Sequence, residues 1–95
     1  MSIFEAGKER IERFIAQLAS DMKRESAAGS FVWWTPTTVE SNATGGAAAM
    51  VPMRIYRGNH WRSIEFDQSD IRNCVGSPDV LKKYEPELAE ILTET

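Results

Sequence analysis

Residues 49–66 read AMVPMRIYRGNHWRSIEF, a sequence typical of two β-strands joined by the tight turn Gly58-Asn59. A two-residue turn pairs Arg57 with His60 and thereby fixes every later pair along the hairpin. One face then collects Val51, Met53, Ile55, Ile64 and Phe66, and the other collects Arg54, Tyr56, Trp61, Ser63 and Glu65. We expect the first, apolar face to contact the core.

A third strand is predicted before the hairpin. Residues 30–35 are β-branched and aromatic, which favours a strand, and Pro36 ends it or confines it to a sheet edge. Pro52 has no N–H to donate, and in the predicted register this gap points toward the strand at 30–35. Pairing between these strands should therefore be short or end near Pro52. Residues 40–46 are turn-rich and polar, and we expect the most mobile part of the chain there.

The N-terminal third carries an apolar stripe at helical spacing over residues 3–27. The stripe consists of Phe4, Ile11, Phe14, Ile15, Leu18 and Met22. Ser2 followed by Glu5 is a capping box that predicts the helix start, and Gly29 suits a C-terminus that needs a left-handed residue. We therefore predict a long helix laid on the sheet.

Shorter helices are predicted after the hairpin. Ser69 can cap a short helix through Val75, and Ser77-Pro78 is a strong start signal for the next helix. Pro86 interrupts the apolar stripe of this last segment. We expect a kink there, or two short helices that meet at Glu85.

Together these elements predict one α+β domain over residues 1–95, in the order α-β-β-β-α. A three-stranded antiparallel sheet packs on a long N-terminal helix, and short C-terminal helices close one face or end. The length of 95 residues, with 42% hydrophobic and 26% charged residues, is that of a single soluble domain. No apolar run approaches the roughly 18 residues of a membrane span, and charges from Glu5 to Arg10 interrupt the region where a signal peptide would be apolar.

Charge and cysteine content narrow the classes of partner. The formal net charge is −3, and residues 67–95 hold seven acidic side chains against three basic ones. Because a polyanion partner needs a basic surface, duplex nucleic acid is disfavoured. The single cysteine, Cys74, cannot form an intrachain disulfide, and together with the missing signal peptide this predicts a cytoplasmic protein. Because no apolar run is long enough to span a membrane, we expect no membrane partner.

The residues that could carry catalysis are few. His60 is the only histidine and Cys74 the only thiol. The predicted fold separates them, because it places His60 at the hairpin turn and Cys74 on a short helix that follows the other end of the sheet. A nucleophile and its base must be within hydrogen-bond reach, so we predict that the protein is not an enzyme. One His and one Cys cannot complete a tetrahedral zinc site, and Gly45-Gly46 lacks the motif of a phosphate-binding loop. We predict no metal and no cofactor.

The aromatic residues are the main candidates for a binding surface. Trp33 and Trp34 are adjacent on a strand and must point to opposite faces, so one enters the core and the other joins Trp61. The candidate binding residues are Trp33, Trp34, Arg54, Tyr56, Trp61 and Arg62.

Three interpretations of this aromatic face compete. In the first, the C-terminal helix covers it and the rings belong to the core. In the second, it contacts a second copy of the chain or another protein, because Trp, Tyr and Arg are enriched at interface hot spots. In the third, the rings with Arg54, Arg57 and Arg62 stack on the bases of a single strand or on a flat ligand.

A second candidate surface is the acidic end of the chain, formed by Glu85, Glu87, Glu90 and Glu94. Such a face serves solubility or docks a basic partner. We therefore predict a small non-enzymatic protein–protein interaction module, either a homodimer or a subunit, inhibitor or regulator of a larger assembly. The alternative is a binder of single-stranded nucleic acid or of a flat small ligand through the Trp/Tyr/Arg face. A host regulator and a phage inhibitor fit these residues equally well.

Overall fold

The computed structural model describes residues 2–34, 37–39 and 48–94, and the side chains of 2–34 and 50–94. Its order confirms the predicted α+β fold. The elements are helix α1 (Ile3–Asp21), a 3₁₀ turn (Glu25–Ala27), strands β1 (Ser30–Trp33), β2 (Thr37–Val39), β3 (Ala48–Arg57) and β4 (His60–Asp67), helix α2 (Gln68–Asn73), a 3₁₀ helix (Pro78–Tyr84) and helix α3 (Glu85–Thr93).

The sheet is antiparallel and is built around β3. Strand β4 pairs along one edge of β3, and β1 and β2 pair one after the other along the opposite edge, so the sheet is three strands wide. The predicted hairpin register is confirmed from Arg57↔His60 to Val51↔Phe66. Gly58 has a φ of 59°, which is the left-handed conformation that the tight turn requires.

The edge of the sheet is interrupted opposite Pro52, as predicted. Strand β1 ends with the pair Trp33↔Met53, and the Trp34 N–H donates to the Pro52 carbonyl at 3.0 Å. Pairing resumes at Thr37↔Met50 in β2, a strand that the sequence analysis missed. The predicted strand at 30–35 is thus one short strand that ends at Trp33. Its predicted end at Pro36 and the predicted turn at 40–46 lie outside the described residues.

Helix α1 ends earlier than the predicted residue 27. The Lys23 backbone adopts a φ of 59°, the Arg24 N–H donates to the Ala19 carbonyl at 2.7 Å, and the Lys23 N–H donates to the Ser20 carbonyl at 3.0 Å. This is a Schellman motif in which lysine occupies the position usually held by glycine. The predicted start is confirmed by the hydrogen bond from the Glu5 N–H to the Ser2 hydroxyl.

Gly29, predicted to end the first helix, instead leads into β1. Its N–H donates to the Tyr56 carbonyl at 3.0 Å, and a Cβ at this position would lie 2.9 Å from the same oxygen. The glycine therefore allows the close approach of two backbones.

Helix α2 differs from the prediction at both ends. Its N-cap is Asp67 and not Ser69, and the Asp67 carboxylate accepts a hydrogen bond from the Ser69 N–H at 2.8 Å. Helix α2 ends at Asn73, before the predicted Val75. The 3₁₀ helix and α3 meet at Glu85, which confirms the junction predicted from Pro86.

The core lies on one side of the sheet only. The buried cluster joins residues of the helical segments with the inward-facing strand residues Val51, Met53, Ile55, Ile64 and Phe66. Its helical members are Ile11, Ile15, Ala19, Ala27, Ile71, Cys74, Leu81, Leu88, Ile91 and Leu92. The interpretation that the C-terminal helix covers the aromatic face is therefore wrong: the helices pack on the other side, where the strands supply five apolar residues.

Candidate functional site: the outer face of the sheet

The side of the sheet opposite the helices is called the outer face. Its side chains include those of Val32, Trp34, Pro52, Arg54, Tyr56, Trp61, Ser63 and Glu65. None of these residues is buried, and Trp34 and Trp61 are 40% and 45% exposed. The described residues include four exposed large hydrophobic side chains, and three of them (Val32, Trp34 and Trp61) lie on the outer face. Exposed apolar surface is thus concentrated on one side of the molecule.

Arg54 is at the centre of this face. Its guanidinium carbon lies 3.8 Å from the centroid of the Trp61 ring and 4.6 Å from that of Trp34. The guanidinium also donates to the Tyr56 hydroxyl at 3.3 Å. We call these four residues the Arg54 cluster.

The strands explain why these residues meet. Arg54 and Tyr56 are two residues apart on β3 and therefore share a face, and Trp61 is paired with Tyr56 across the hairpin. Trp34 reaches the cluster from the other edge because its N–H is bonded to the Pro52 carbonyl. Residues from both edges thus converge on the central strand.

A shallow cleft runs through the Arg54 cluster. It has a volume of about 210 Å³ and is lined by Trp34, Pro52, Arg54, Trp61 and Ser63. The planar rings and the charged guanidinium form a surface that is apolar at its edges and cationic in the middle. Such surfaces suit contact with side chains or with a planar group.

Trp33 lies on the helix side, which settles which of the two adjacent tryptophans is exposed. Its indole N–H donates to the Glu12 carboxylate of α1 at 2.6 Å, and its ring centroid is 5.7 Å from that of Phe66. Trp33 is therefore a packing residue between helix and sheet, and the structure does not bring it into the Arg54 cluster.

Arg62, another predicted binding residue, also lies on the helix side. It is paired with Ile55 across the hairpin and forms an ion pair with Glu94 beyond the end of α3. The alternation of side chains along β4 places Arg62 and Trp61 on opposite faces, so the sequence contained the information needed to separate them. The other predicted acidic residues, Glu85, Glu87 and Glu90, are exposed on α3.

A second pocket, which the sequence analysis missed, lies on the helix side near the hairpin turn. Its volume is about 290 Å³, and Arg57, His60, Arg62 and Glu94 line it around the buried side chains of Ala27, Ile55 and Ile91, with Trp61 at its margin. The alternation of side chains from Arg57 through His60 to Arg62 could have indicated it, because all three share one face.

Cys74 and His60 have different surroundings. The Cys74 thiol is fully buried, and its Sγ lies 3.1 Å from the Ile71 carbonyl and 3.6 Å from the Gly7 carbonyl. This burial raises the pKa of the thiol, which keeps it in the unreactive protonated form. His60 is exposed at the hairpin turn. Within the described ranges, no group of three or more His, Cys, Asp or Glu side chains could hold a metal ion.

A polar network ties the end of β4 to the 3₁₀ helix. The Tyr84 hydroxyl donates to the buried Asp70 carboxylate at 2.6 Å and accepts the Asp67 N–H at 3.0 Å. Lys83 Nζ lies 2.7 Å from the same Asp70 oxygen. Burial, together with the hydrogen bond to Asp70, raises the pKa of Tyr84 well above its ordinary value. We interpret this network as structural, because the Tyr84 hydroxyl and the Asp70 carboxylate already have hydrogen-bonding or ionic partners within it.

Comparison with known proteins identifies no relative of this chain: no family model matches it, and no curated protein or solved structure is significantly similar to it. Among the helices of the described region, none is long and apolar enough to cross a membrane.

Proposed function

We propose that this chain is a small non-enzymatic interaction module that binds another protein through the outer face, as a subunit, inhibitor or regulator of a larger assembly. The observation that carries the proposal is the Arg54 cluster, which lies on a sheet face opposite the helices. Two half-exposed tryptophans around one arginine are the residue types that dominate protein interfaces. A binding partner would remove this apolar surface from water.

The cluster is already organised in the free chain. The Arg54 side chain is held by two rings and by the Tyr56 hydroxyl, so it loses less conformational freedom on binding than a freely rotating arginine would. An arginine held in this way is suited to meet a carboxylate or a carbonyl of a partner protein in a fixed orientation.

The alternative, a binder of single-stranded nucleic acid or of a flat ligand, has less support. The guanidinium of Arg54 lies over both rings and occupies ring surface on which a base would stack. Arg62 lies on the opposite face, paired with Glu94, and Arg57 lines the pocket on that same side. The outer face carries Glu65 besides Arg54, so the cations needed to follow a phosphate backbone are not gathered there.

The acidic residues of α3 supply a second contact in this proposal. Glu85, Glu87 and Glu90 are exposed and could face a basic region of the partner. We also propose a reducing, cytoplasmic location, because the chain has a single cysteine, which is buried and cannot form an intrachain disulfide.

Affinity capture followed by reconstitution tests the proposal. The wild-type chain and the variant Trp34→Ser/Trp61→Ser are used as baits, and each captured protein is purified and titrated by calorimetry. We expect the double variant to bind at least about tenfold more weakly, the usual loss on removing a hot-spot tryptophan. Ile3→Ala is the matched control, because Ile3 is an exposed apolar residue on α1, in the helical layer.

Two results would decide against the proposal. In the first, the folded double variant binds the purified partner as tightly as Ile3→Ala does. In the second, an oligothymidylate quenches tryptophan fluorescence with a strongly salt-dependent affinity that Arg54→Ala removes. The second result would favour the nucleic-acid alternative.

A further inference from the structure

Strand β4 forms an edge of the sheet, and its backbone groups alternate in direction. A two-residue turn makes Arg57 and His60 a hydrogen-bonded pair, so the backbone groups of His60, Arg62, Ile64 and Phe66 point toward β3. The N–H and C=O groups of the residues between them, Trp61, Ser63, Glu65 and Asp67, point away from the sheet.

One of these outward-pointing backbone groups has a hydrogen-bond partner, and this bond confirms that the groups point away from β3. The Asp67 N–H donates to the Tyr84 hydroxyl at 3.0 Å. In the part of the chain that the structure describes, no hydrogen bond to another element involves the backbone of Trp61, Ser63 or Glu65. Among the described residues, three successive outward positions therefore have no partner.

This open edge has only part of the usual protection against strand pairing. It holds the charged residues Arg62 and Glu65, but β4 reads HWRSIEFD, without proline or lysine, and pairs with β3 without a bulge. The two charged side chains point to the faces of the sheet, Glu65 to the outer face and Arg62 to the helix side, where it pairs with Glu94.

We propose that β4 pairs antiparallel with β4 of a second copy, about a twofold axis that passes through Ser63. The helical layers of the two copies then lie on the same side of one continuous sheet, and the two outer faces form one surface. The proposal deepens the proposed function because it doubles the surface offered to a partner, although the pairing itself needs no partner.

Backbone geometry limits the register. A twofold axis perpendicular to the sheet keeps equivalent faces together, so Ser63 meets Ser63 of the second copy and Trp61 meets Glu65 of the second copy. This register uses all three open positions. An axis through Ile64 would instead pair Trp61 with Asp67 of the second copy, whose N–H is already bonded to Tyr84. An axis through Glu65 would place two like charges opposite each other.

Charge complementarity supports the same register. Glu65 of the second copy would lie directly across from Trp61. The Arg54 guanidinium stacks against the ring of this tryptophan. Neither Arg54 nor Glu65 forms an ion pair with another described residue. The pairing would thus bring a carboxylate to each Arg54 cluster without opposing like charges.

A cysteine on the axis tests the register. In a hydrogen-bonded antiparallel pair the Cα atoms are about 5.5 Å apart, which lies within the range that a disulfide spans. We expect Ser63→Cys to form a disulfide-linked dimer in air at low micromolar concentration. Ser30→Cys is the matched control, because Ser30 is an exposed serine on β1 at the other side of β3. Cys74 is buried and is present in both variants.

Light scattering after size exclusion, with no partner present, completes the test. We expect the wild type to have twice the mass of 10.7 kDa, and folded Ser63→Lys, which places two ammonium groups on the axis, to be monomeric. A wild type that is monomeric at about 100 μM, or a Ser63→Cys that crosslinks no faster than Ser30→Cys, overturns the proposal.

Failure of this dimer can be distinguished from failure of the proposed function. The Trp34 backbone is bonded to Pro52 on the side of β3 away from β4, so it takes no part in pairing through β4, although its side chain lines the same cleft as Ser63. Trp34→Ser should therefore weaken binding of a partner protein and leave the dimer mass unchanged. A change of mass in Trp34→Ser would contradict pairing through β4.

Discussion

The Arg54 guanidinium lies 3.8 Å from the centroid of the Trp61 ring, on the side of the sheet opposite the helices. The two residues are diagonal neighbours across the hairpin, because Trp61 pairs with Tyr56 and Arg54 pairs with Ser63. Their contact follows from the tight turn at Gly58, which fixes the register and hence the face on which each side chain lies. The helices pack on the apolar face, and this arrangement leaves the cation and its rings accessible.

The first prediction concerns the stability cost of removing this arginine. Arg54→Met keeps the aliphatic part of the side chain and removes the charge. The free energy of unfolding should fall by about 1–2 kcal/mol, because the guanidinium contacts two rings and each cation–π contact at an exposed site contributes about 0.5–1 kcal/mol. Urea unfolding followed by circular dichroism measures this change. A loss of roughly 3 kcal/mol or more, which is the cost of a core truncation, would mean that the cluster is a structural core.

The second prediction compares the two adjacent tryptophans. Trp33→Phe removes the indole N–H that donates to Glu12 at 2.6 Å and should lower the free energy of unfolding by about 1.5 kcal/mol. This is the lower end of the range for hydrogen bonds to charged groups, because the pair is only partly buried. Trp34→Phe is the matched control and should change stability by less than about 0.5 kcal/mol. Equal effects of the two substitutions in thermal unfolding would contradict the assignment of Trp33 to the helix side.

The third prediction concerns the packing of α1 on α2. A Cβ at Gly7 would lie 1.8 Å from the Ile71 carbonyl oxygen, so Gly7→Ala requires the two helices to separate. We expect a loss of about 1–3 kcal/mol or more, although alanine is the better helix former by roughly 1 kcal/mol.

Gly76→Ala is the control for this substitution. A Cβ at Gly76 meets no atom within 4 Å, so the change should be neutral or slightly stabilising. Both variants can be compared by chemical denaturation. A Gly7→Ala protein as stable as Gly76→Ala would show that α1 and α2 do not approach as closely as the structure has them.

The fourth prediction is a pH dependence that arises from Tyr84. Burial and the hydrogen bond donated to Asp70 raise the pKa of Tyr84 in the folded state, whereas an unfolded tyrosine titrates near about 10. A raised folded pKa contributes stability that is complete below pH ~10 and is lost as the pH rises toward the folded pKa. The free energy of unfolding should therefore decrease above pH ~10.

Tyr84→Phe removes this contribution, so its stability should decrease less steeply between pH ~10 and ~11 than that of the wild type. Cys74, whose pKa is also raised by burial, adds an alkaline loss that both proteins share. Tyr56→Phe is the matched control and should retain the wild-type slope, because it keeps Tyr84. Identical slopes in the wild type and Tyr84→Phe would contradict the burial of the Tyr84 hydroxyl.

The hairpin could be predicted from sequence residue by residue because a two-residue turn leaves one register. The junction at Glu85 could also be predicted, because Pro86 restricts the backbone of the residue before it. The end of α1 could not, because Lys23 adopts a left-handed conformation that sequence patterns assign to glycine. The break before β2 is indicated in the sequence only as pairing that is short or ends near Pro52.

The candidate site was only partly accessible from sequence. Alternation along β3 and β4 placed Arg54, Tyr56 and Trp61 together, and the same rule should have excluded Arg62. Trp33 and Trp34 could not be distinguished, because the register of β1 on β3 is set by tertiary pairing and not by a turn. The alternation along the hairpin predicts which face contacts the core, but whether the C-terminal helices join α1 on that face depends on the packing of several separate elements.

Binding through the outer face is tested most directly by hydroxyl-radical footprinting of the three tryptophans, with and without a reconstituted partner protein. We expect Trp34 and Trp61 to oxidise readily in the free protein and to become protected in the complex, while the weaker oxidation of Trp33 stays unchanged. Protection of Trp33 or of the α1 peptides, with Trp34 and Trp61 still reactive in the complex, would contradict binding through the outer face.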